Sequence, residues 1–497
     1  MPLRLHDTMR GAVVPFEPAD PTHVRVYVCG PTPYDHAHLG HVRCYVVYDV
    51  LVRHLRAHYP RVTYVRNVTD IDDKIVARAR ARGIEPLRLA AEYYEAFRQD
   101  MARVGNLPPD LEPRVSDHLA DIERIVQGLV ERGHAYVVDG DVYFDVTSYP
   151  AYGRLSGRRL QDLVAGASGR IDDAEAARKR HPADFALWKA ATDGEPGWPS
   201  RWGRGRPGWH IECSAMSLAH LGAEFDLHGG GLDLVFPHHE NEIAQTECYT
   251  GRPCARHWVH NGFVEVQREK MSKSLGNFFT ARELFERVEP EAIRWLVLGQ
   301  HYRSPLQFDG TVDDEGRVTG FPQLEEAERR VEYLYETRAR LQSIGAERQS
   351  DGGTVPDPIA AYGSRLDAAL DDDLHLPQAL AVTNELLAAV NELCDRSRAR
   401  KATVPAAAVR AARDALGLLG SRLGLGTNEP TALLASIRAR RARLRGIDVA
   451  LVERYMAERD AARAARDFAR ADAVRGQLQA LGVEVLDGPD GSRWRVA

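Results

Sequence analysis

Val24-Arg25-Val26-Tyr27-Val28-Cys29, cut short by Gly30-Pro31-Thr32-Pro33 and followed by His38-Leu39-Gly40-His41, is the stretch that decides the fold. Its β-branched and aromatic content predicts a strand, and the Gly-Pro pair ends it. Apolar positions recurring from about Leu39 to Leu55 predict a helix. Val62-Thr63-Tyr64-Val65 then predicts a second strand. Strand, loop, helix and strand open a parallel α/β sheet, in which ligands sit at the carboxyl ends of the strands.

Outward from this core, residues 85–135 read as helical. Short strand-like runs follow at Ala135-Tyr136-Val137-Val138 and Val142-Tyr143-Phe144-Asp145-Val146. With the charged, Gly/Trp-rich stretch from Ala190 to Pro207, they suggest an insertion at about 115–207. Strand signals resume at Phe225 to His228 and again from His257 to Val266. From about Gln323 the pattern is helical, with a polar break from Ile344 to Pro358. A second break, Gly424 to Pro430, precedes a small unit of helices ending in strands near Val483-Glu484-Val485 and Trp494-Arg495-Val496. The expected architecture is a Rossmann-like parallel-sheet domain over 1–310 with its insertion, an α-helical bundle over 311–425, and a C-terminal unit over 426–497.

A length of 497 residues calls for several domains, and 44% hydrophobic with 27% charged residues suits a soluble globular chain. A net charge of −6 gives no global basic signature, so any nucleic-acid contact must use local patches. No apolar run is long enough to span a membrane, and Met1 to Arg10 has no signal-peptide core, so a cytoplasmic location is expected. Six cysteines in so long a chain are not a disulfide framework.

Two motifs suit a nucleotide. His38, Gly40 and His41 open the first helix, where free backbone N–H groups and a partial positive charge attract phosphate. Lys270-Met271-Ser272-Lys273-Ser274 offers mobile charges and hydroxyls able to wrap a triphosphate, and lysine can follow charge as it moves in a reaction. A third constellation suits a metal. Cys29 ends the first strand, Cys213 follows an aromatic-rich segment, and His238 and Glu242 are one helical turn apart. These are ligand types that zinc takes. Spacing alone leaves His239 as an alternative to His238.

Taken together, His38 to His41 and the 270–274 loop resemble the two signatures of class I aminoacyl-tRNA synthetases. Tyr27-Val28-Cys29-Gly30, Asn67-Val68-Thr69-Asp70-Ile71-Asp72-Asp73-Lys74, Gly208-Trp209-His210-Ile211-Glu212-Cys213-Ser214, His228-Gly229-Gly230-Gly231 and Pro237-His238-His239-Glu240-Asn241-Glu242 resemble blocks of the cysteinyl family. The resemblance covers nearly the whole chain.

The resemblance implies ATP-dependent ligation of L-cysteine to tRNA(Cys) through a cysteinyl-adenylate, with release of AMP and pyrophosphate. It implies one zinc per chain on Cys29, Cys213, His238 and Glu242, and ATP used with Mg²⁺. His38, His41, Lys270 and Lys273 become the catalytic groups. Gly40, Gly231, Asp233 and Ser272 join them in binding ATP, with Gly231 and Asp233 at the ribose. Gly30, Thr32, Thr69, Trp209 and His238 fall near the substrate cysteine. Trp209 is expected to wall the pocket, and Thr69 or Thr32 to bind the amino or carboxylate group. Zinc would take a substrate thiolate where a pocket alone discriminates poorly against serine. The bundle is expected to span tRNA, and the C-terminal unit to read the anticodon, with arginines between Glu458 and Arg475 on phosphate and Trp494 as a stacking surface. A monomer is expected. The rival reading is the related ligase that joins cysteine to glucosaminyl-inositol in mycothiol synthesis. It shares the core motifs but has no need of the extension from Gly424 to Ala497. Pro33 and Leu39 depart from the usual family residues, and the join from Phe308 to Gln323 is longer than usual.

Overall fold

The computed structural model describes residues 2–165, 177–192, 195–266, 269–271, 278–312, 318–399, 402–488 and 491–496. Ser272, Lys273 and the acidic run Asp313 to Gly316 lie outside the described residues. At the centre is a four-stranded parallel sheet. Its strands are β1 (Val24–Val28), β2 (Val62–Arg66), β3 (Phe225–Gly231) and β4 (Ala255–Asn261), in the order β4-β3-β1-β2. Tyr27 pairs with both Val65 and His228, and His228 with Trp258, so one level of the sheet crosses all four strands. The chain leaves β1 toward β2 on one side and returns to β3 on the other. The crevice between the carboxyl ends of β1 and β3 is therefore the topological switch point, where open α/β sheets bind ligands.

Helix α1 (Leu39–His58) crosses from β1 to β2. It runs three residues past the periodic segment and stops before Pro60, because a residue preceding proline is pushed out of the helical region. It is buried on most of its circumference, packed against helices Pro290–Leu298 and Ala406–Leu423 as well as the sheet. Val26, Val28 and Leu227 share a core with this helix and the bundle, whereas Tyr27, Cys29 and Phe225 point into a second core beneath the insertion. Alternation along β1 thus puts Cys29 on the insertion side.

Several expectations need correction. The stretch 85–135 is two helices, Pro86–Arg103 and Leu119–Glu131, because Gly105, Pro108, Pro109 and Pro113 break the pattern between them. The second insertion strand is Asp141–Phe144, since Asp145 caps a short turn at Val146–Ser148. It pairs with Ala135–Val138 and Phe185–Ala190, and the latter with Gly205–Pro207, in one antiparallel sheet. The run 257–266 is split at Gly262 into β4 and the short strand Val264–Val266.

Beyond residue 321 the chain is mainly helical, with long helices at Pro322–Gln342, Leu376–Arg398 and Ala406–Leu423. Fully buried Arg294 ties this part to the sheet, donating to the carbonyls of Leu423 (2.6 Å) and Val104 (3.2 Å) and pairing with Asp49. The last residues form a small core of their own, with a hairpin of Val483–Gly488 and Gly491–Val496. Trp494 lies inside that core at 5% exposure, its Nε1 donating to Glu453 (2.8 Å), so it is not a stacking surface. Arg459 is likewise taken, paired with Asp487 at 2.7 Å. The exposed aromatic of this unit is Phe468, 64% accessible at the start of helix Phe468–Ala480.

Candidate active site

Cys29 at the end of β1, Cys213 on helix α2 (Trp209–Leu221), and Glu242 on helix α3 (Glu240–Thr250) converge in a pocket closed by imidazoles. Cys29 Sγ lies 3.7 Å from Cys213 Sγ and 3.6 Å from Glu242 Oε1, and His238 Nε2 lies 3.1 Å from that same oxygen. All four expected metal ligands are buried, with ligand atoms within 4.8 Å of one another. His238 precedes α3 in the turn Val235–His239, but its four-residue spacing from Glu242 still brings the two side chains together.

The donor set fits a metal ion. Burial pushes the Glu242 carboxyl well above its usual range, and its Oε2 finds no hydrogen-bond partner among the described residues. A buried carboxylate in that position is stabilised by a cation. The thiol pair is polarised. A hydrogen bond from Cys29 pulls Cys213 down to about 7, while burial pushes Cys29 up. His238 Nδ1 is 2.9 Å from His210 Nδ1, which fixes the ring so that Nε2 faces the pocket.

Among the expected cysteine contacts, Trp209 and Gly30 adjoin this pocket and Thr69 is bonded to Glu212, the neighbour of Cys213. Trp209, 42% exposed, stacks on His238 with ring centres 4.3 Å apart and walls the open side. Gly30 follows Cys29, and a side chain there would collide with the Asn67 carbonyl, 1.5 Å from an ideal Cβ. Its N–H instead donates to Asn67 Oδ1 (2.7 Å). Thr69 Oγ1 accepts from Asn67 Nδ2 (3.2 Å) and donates to Glu212 Oε2 (3.2 Å). Thr32 lies in the loop after Gly30, half-buried.

The described residues of the nucleotide motifs stand at the carboxyl ends of the same strands. His38 is the N-cap of α1 and forms a reciprocal box with His41. The His41 N–H donates to His38 Nδ1 (3.3 Å), and the His38 N–H to His41 Nδ1 (3.2 Å). Their rings stack at 3.7 Å. Gly40 makes room for this, since a Cβ there would lie 2.9 Å from the His38 ring. Gly231 ends β3 and Asp233 follows it. Lys270, on a two-residue strand antiparallel to Val264–Val266, reaches Asp233 at 3.7 Å. The first lysine of the 270–274 loop and the expected ribose carboxylate are therefore neighbours.

Asn67 and Glu212, which hold Thr69, have no role legible in the sequence, nor do His210 and His228, and His239 is there only an alternative to His238. The structure puts His239 beside His238 and does not replace one by the other. The signal available was the density of histidine around the 228–231 glycine run and the 237–242 segment.

The family described as tRNA synthetases class I (C) catalytic domain matches residues 15–315. A cysteine–tRNA ligase of Anaeromyxobacter dehalogenans strain 2CP-1 is 50% identical over 502 residues, covering 100% of both chains. One of Geobacter sulfurreducens is 44% identical over 501 residues, again covering 100% of both. Among solved structures, Mycobacterium tuberculosis methionyl-tRNA synthetase in complex with methionyl-adenylate is similar with a TM-score of 0.55 at 14% identity, covering 81% of this chain and 92% of that one. The ternary complex of Agrobacterium radiobacter K84 agnB2 LeuRS-tRNA-LeuAMS gives 0.58 at 12%, covering 85% and 86%. At such identities these structures speak for the fold alone.

Proposed function

The chain belongs to the cysteine–tRNA ligase family of class I tRNA synthetases, and on that premise we propose that it joins L-cysteine to tRNA(Cys) using ATP. The observation that carries this reading is the convergence of Cys29, Cys213, His238 and Glu242 in one buried pocket. The comparisons do not favour the amino-sugar acceptor, because the relatives match over the whole chain, the extension after Gly424 included.

Cys29, Cys213, His238 and Glu242 would hold one zinc ion. When bound, zinc supplies a soft centre that prefers a thiolate to a hydroxyl, the chemistry needed to separate cysteine from serine. Trp209 walls the pocket over His238, and Gly30 lets the substrate approach the backbone. The Thr69 hydroxyl has its proton committed to Glu212, so it is set to accept from the substrate ammonium. Thr32 lines the approach. At the other end, the amino terminus of α1 with His38, Gly40 and His41 receives the ATP phosphates, which carry Mg²⁺. Gly231 and Asp233 hold the ribose.

The cysteine carboxylate attacks the α-phosphorus and pyrophosphate leaves. Lys270, Lys273 and Ser272 stabilise the charge that builds on the phosphates. A ribose hydroxyl of the tRNA 3′ end then attacks the carbonyl carbon, and AMP leaves. The division of labour is a catalytic domain over 1–310 with its insertion near 115–207, a bundle over 311–425 and an anticodon-reading unit over 426–497. The protein acts as a monomer in the cytoplasm. Among the described residues no helix is long and apolar enough to cross a membrane.

Incubation with labelled cysteine and ATP should charge tRNA(Cys) and leave glucosaminyl-inositol unlabelled. Labelling of the amino sugar with no charged tRNA would sink this reading.

A further inference from the structure

The metal pocket has two edges. The outer edge carries Cys213 and His238 under exposed Trp209. On the inner edge His228 lies flat against buried Trp258, ring centres 4.5 Å apart, and His239 fits between His228 and His260. Both imidazoles are fully buried.

Cys29 and Glu242 face both edges. Cys29 Sγ is 3.3 Å from His239 Nε2 and 3.6 Å from His228 Nε2. Glu242 turns Oε2 toward His228 Nε2 (3.6 Å) and Oε1 toward His239 Nε2 (3.9 Å). Ligand atoms around a tetrahedral zinc are about 3.3–3.8 Å apart, given bonds of about 2.0–2.3 Å. Three of these inner spacings fall in that range and the fourth is 3.9 Å, and the inner four atoms all lie within 4.8 Å of one another, as the outer four do.

His239 also has the support that metal-bound histidines carry. Its Nδ1 is 2.8 Å from His260 Nε2, and His260 Nδ1 is 2.7 Å from Thr8 Oγ1. With the His239 proton on Nδ1, donated along this chain toward Thr8, Nε2 is a lone pair aimed into the pocket.

We propose that Cys29, His228, His239 and Glu242 form a second metal position, adjoining the outer one and sharing two ligands with it. One ion occupies the pocket at a time. The inner set has two anions, the Cys29 thiolate and the Glu242 carboxylate, which neutralise one divalent ion. A second ion would place four positive charges against three anions in a fully buried site. The Cys29 proton is released to solvent on binding. Among the described residues no route to the substrate opens on the inner edge, because Trp258 and the sheet close it. The inner position therefore retains the ion without taking a thiolate ligand.

The inference rests on the proposed outer site for Cys29 and Glu242. In the full-length variant Cys213→Ala/His238→Ala only the inner set remains. It is expected to bind one cobalt(II) per chain with a tetrahedral spectrum of a single thiolate. X-ray absorption of the zinc form should give one sulfur and two imidazoles. Adding His239→Gln should weaken cobalt binding roughly tenfold or more. A folded double variant that binds no cobalt, one that binds two, or binding indifferent to His239→Gln would overturn the inner position. Should the double variant fail to fold, Cys213→Ser alone decides: one sulfur with two imidazoles supports the proposal, and one sulfur with one imidazole refutes it. Wild-type protein without zinc would remove both positions. Zinc in the wild type with none in the double variant would remove only the inner one.

Discussion

Cys29 and Cys213 are 184 positions apart in the chain, yet their sulfur atoms lie 3.7 Å apart, the spacing of two thiolates on one tetrahedral ion. Parallel pairing of β1 with β3 and the seating of α2 over them create this contact. Replacing Cys213 by Ser exchanges a soft ligand for a hard one. In Cys213→Ser, KM for cysteine in pyrophosphate exchange should rise on the order of 10–100-fold, with zinc held less tightly. KM for ATP should barely move, because its proposed contacts come from α1 and the 270–274 loop. An equal rise in both constants would mean the substitution damages the fold and not the cysteine pocket.

Lys273 is assigned to the charge that develops on the α-phosphate. Lys273→Ala should slow cysteine-dependent pyrophosphate exchange by about 10²–10³ while cysteine binding survives, since electrostatic contacts made in the transition state are worth that much. Calorimetry with cysteine alone provides the second readout. A variant with wild-type exchange rates removes the lysine from the mechanism.

Phe468 is exposed beside the arginines of the C-terminal unit, where Trp494 is buried. If the unit reads tRNA, Phe468→Ala should raise KM for tRNA by the equivalent of about 1–3 kcal/mol, the worth of one stacked base. Phe468→Trp should retain tRNA affinity, and pyrophosphate exchange should be unchanged in both. Unaltered charging kinetics in Phe468→Ala would place the anticodon elsewhere.

Burial holds the imidazoles of His210, His228 and His239 well below the ordinary histidine value of 6.5. The unfolded chain takes up these protons near pH 6.5 and the folded chain does not. The stabilising contribution of the neutral rings is therefore full above pH 6.5 and declines as pH falls below it. The slope is about 1.4 kcal/mol per pH unit for each such histidine. Urea titrations of the metal-free protein at pH 7.5, 6.5 and 5.5 should show a falling midpoint. The Glu212 and Glu242 carboxyls, pushed upward by burial, oppose this dependence, so a pH slope unchanged in His210→Gln would show that the His210 ring is protonated in the fold.

The opening of the sheet was legible from residues 24–65, because β-branched runs, a Gly-Pro break and an apolar period are local properties. The same holds for α1 and for the pairing of His238 with Glu242, which needs only one turn of chain. Helix ends were misjudged where prolines interrupt a favourable composition, as between Arg103 and Leu119. Trp494 shows the limit of composition. A tryptophan near arginines suggested a stacking surface, but the small terminal core needs its bulk. The metal pocket lies between these cases. The residue types were visible in the sequence, and their resemblance to a family picked four of them. Distance, however, is a property of the folded chain. Only the register of β1 against β3, and the packing of α2 and α3 across their ends, decided that Cys29 and Glu242 face two histidine edges and not one. Sequence fixes what each side chain can bind; long-range strand pairing fixes which side chains share a ligand.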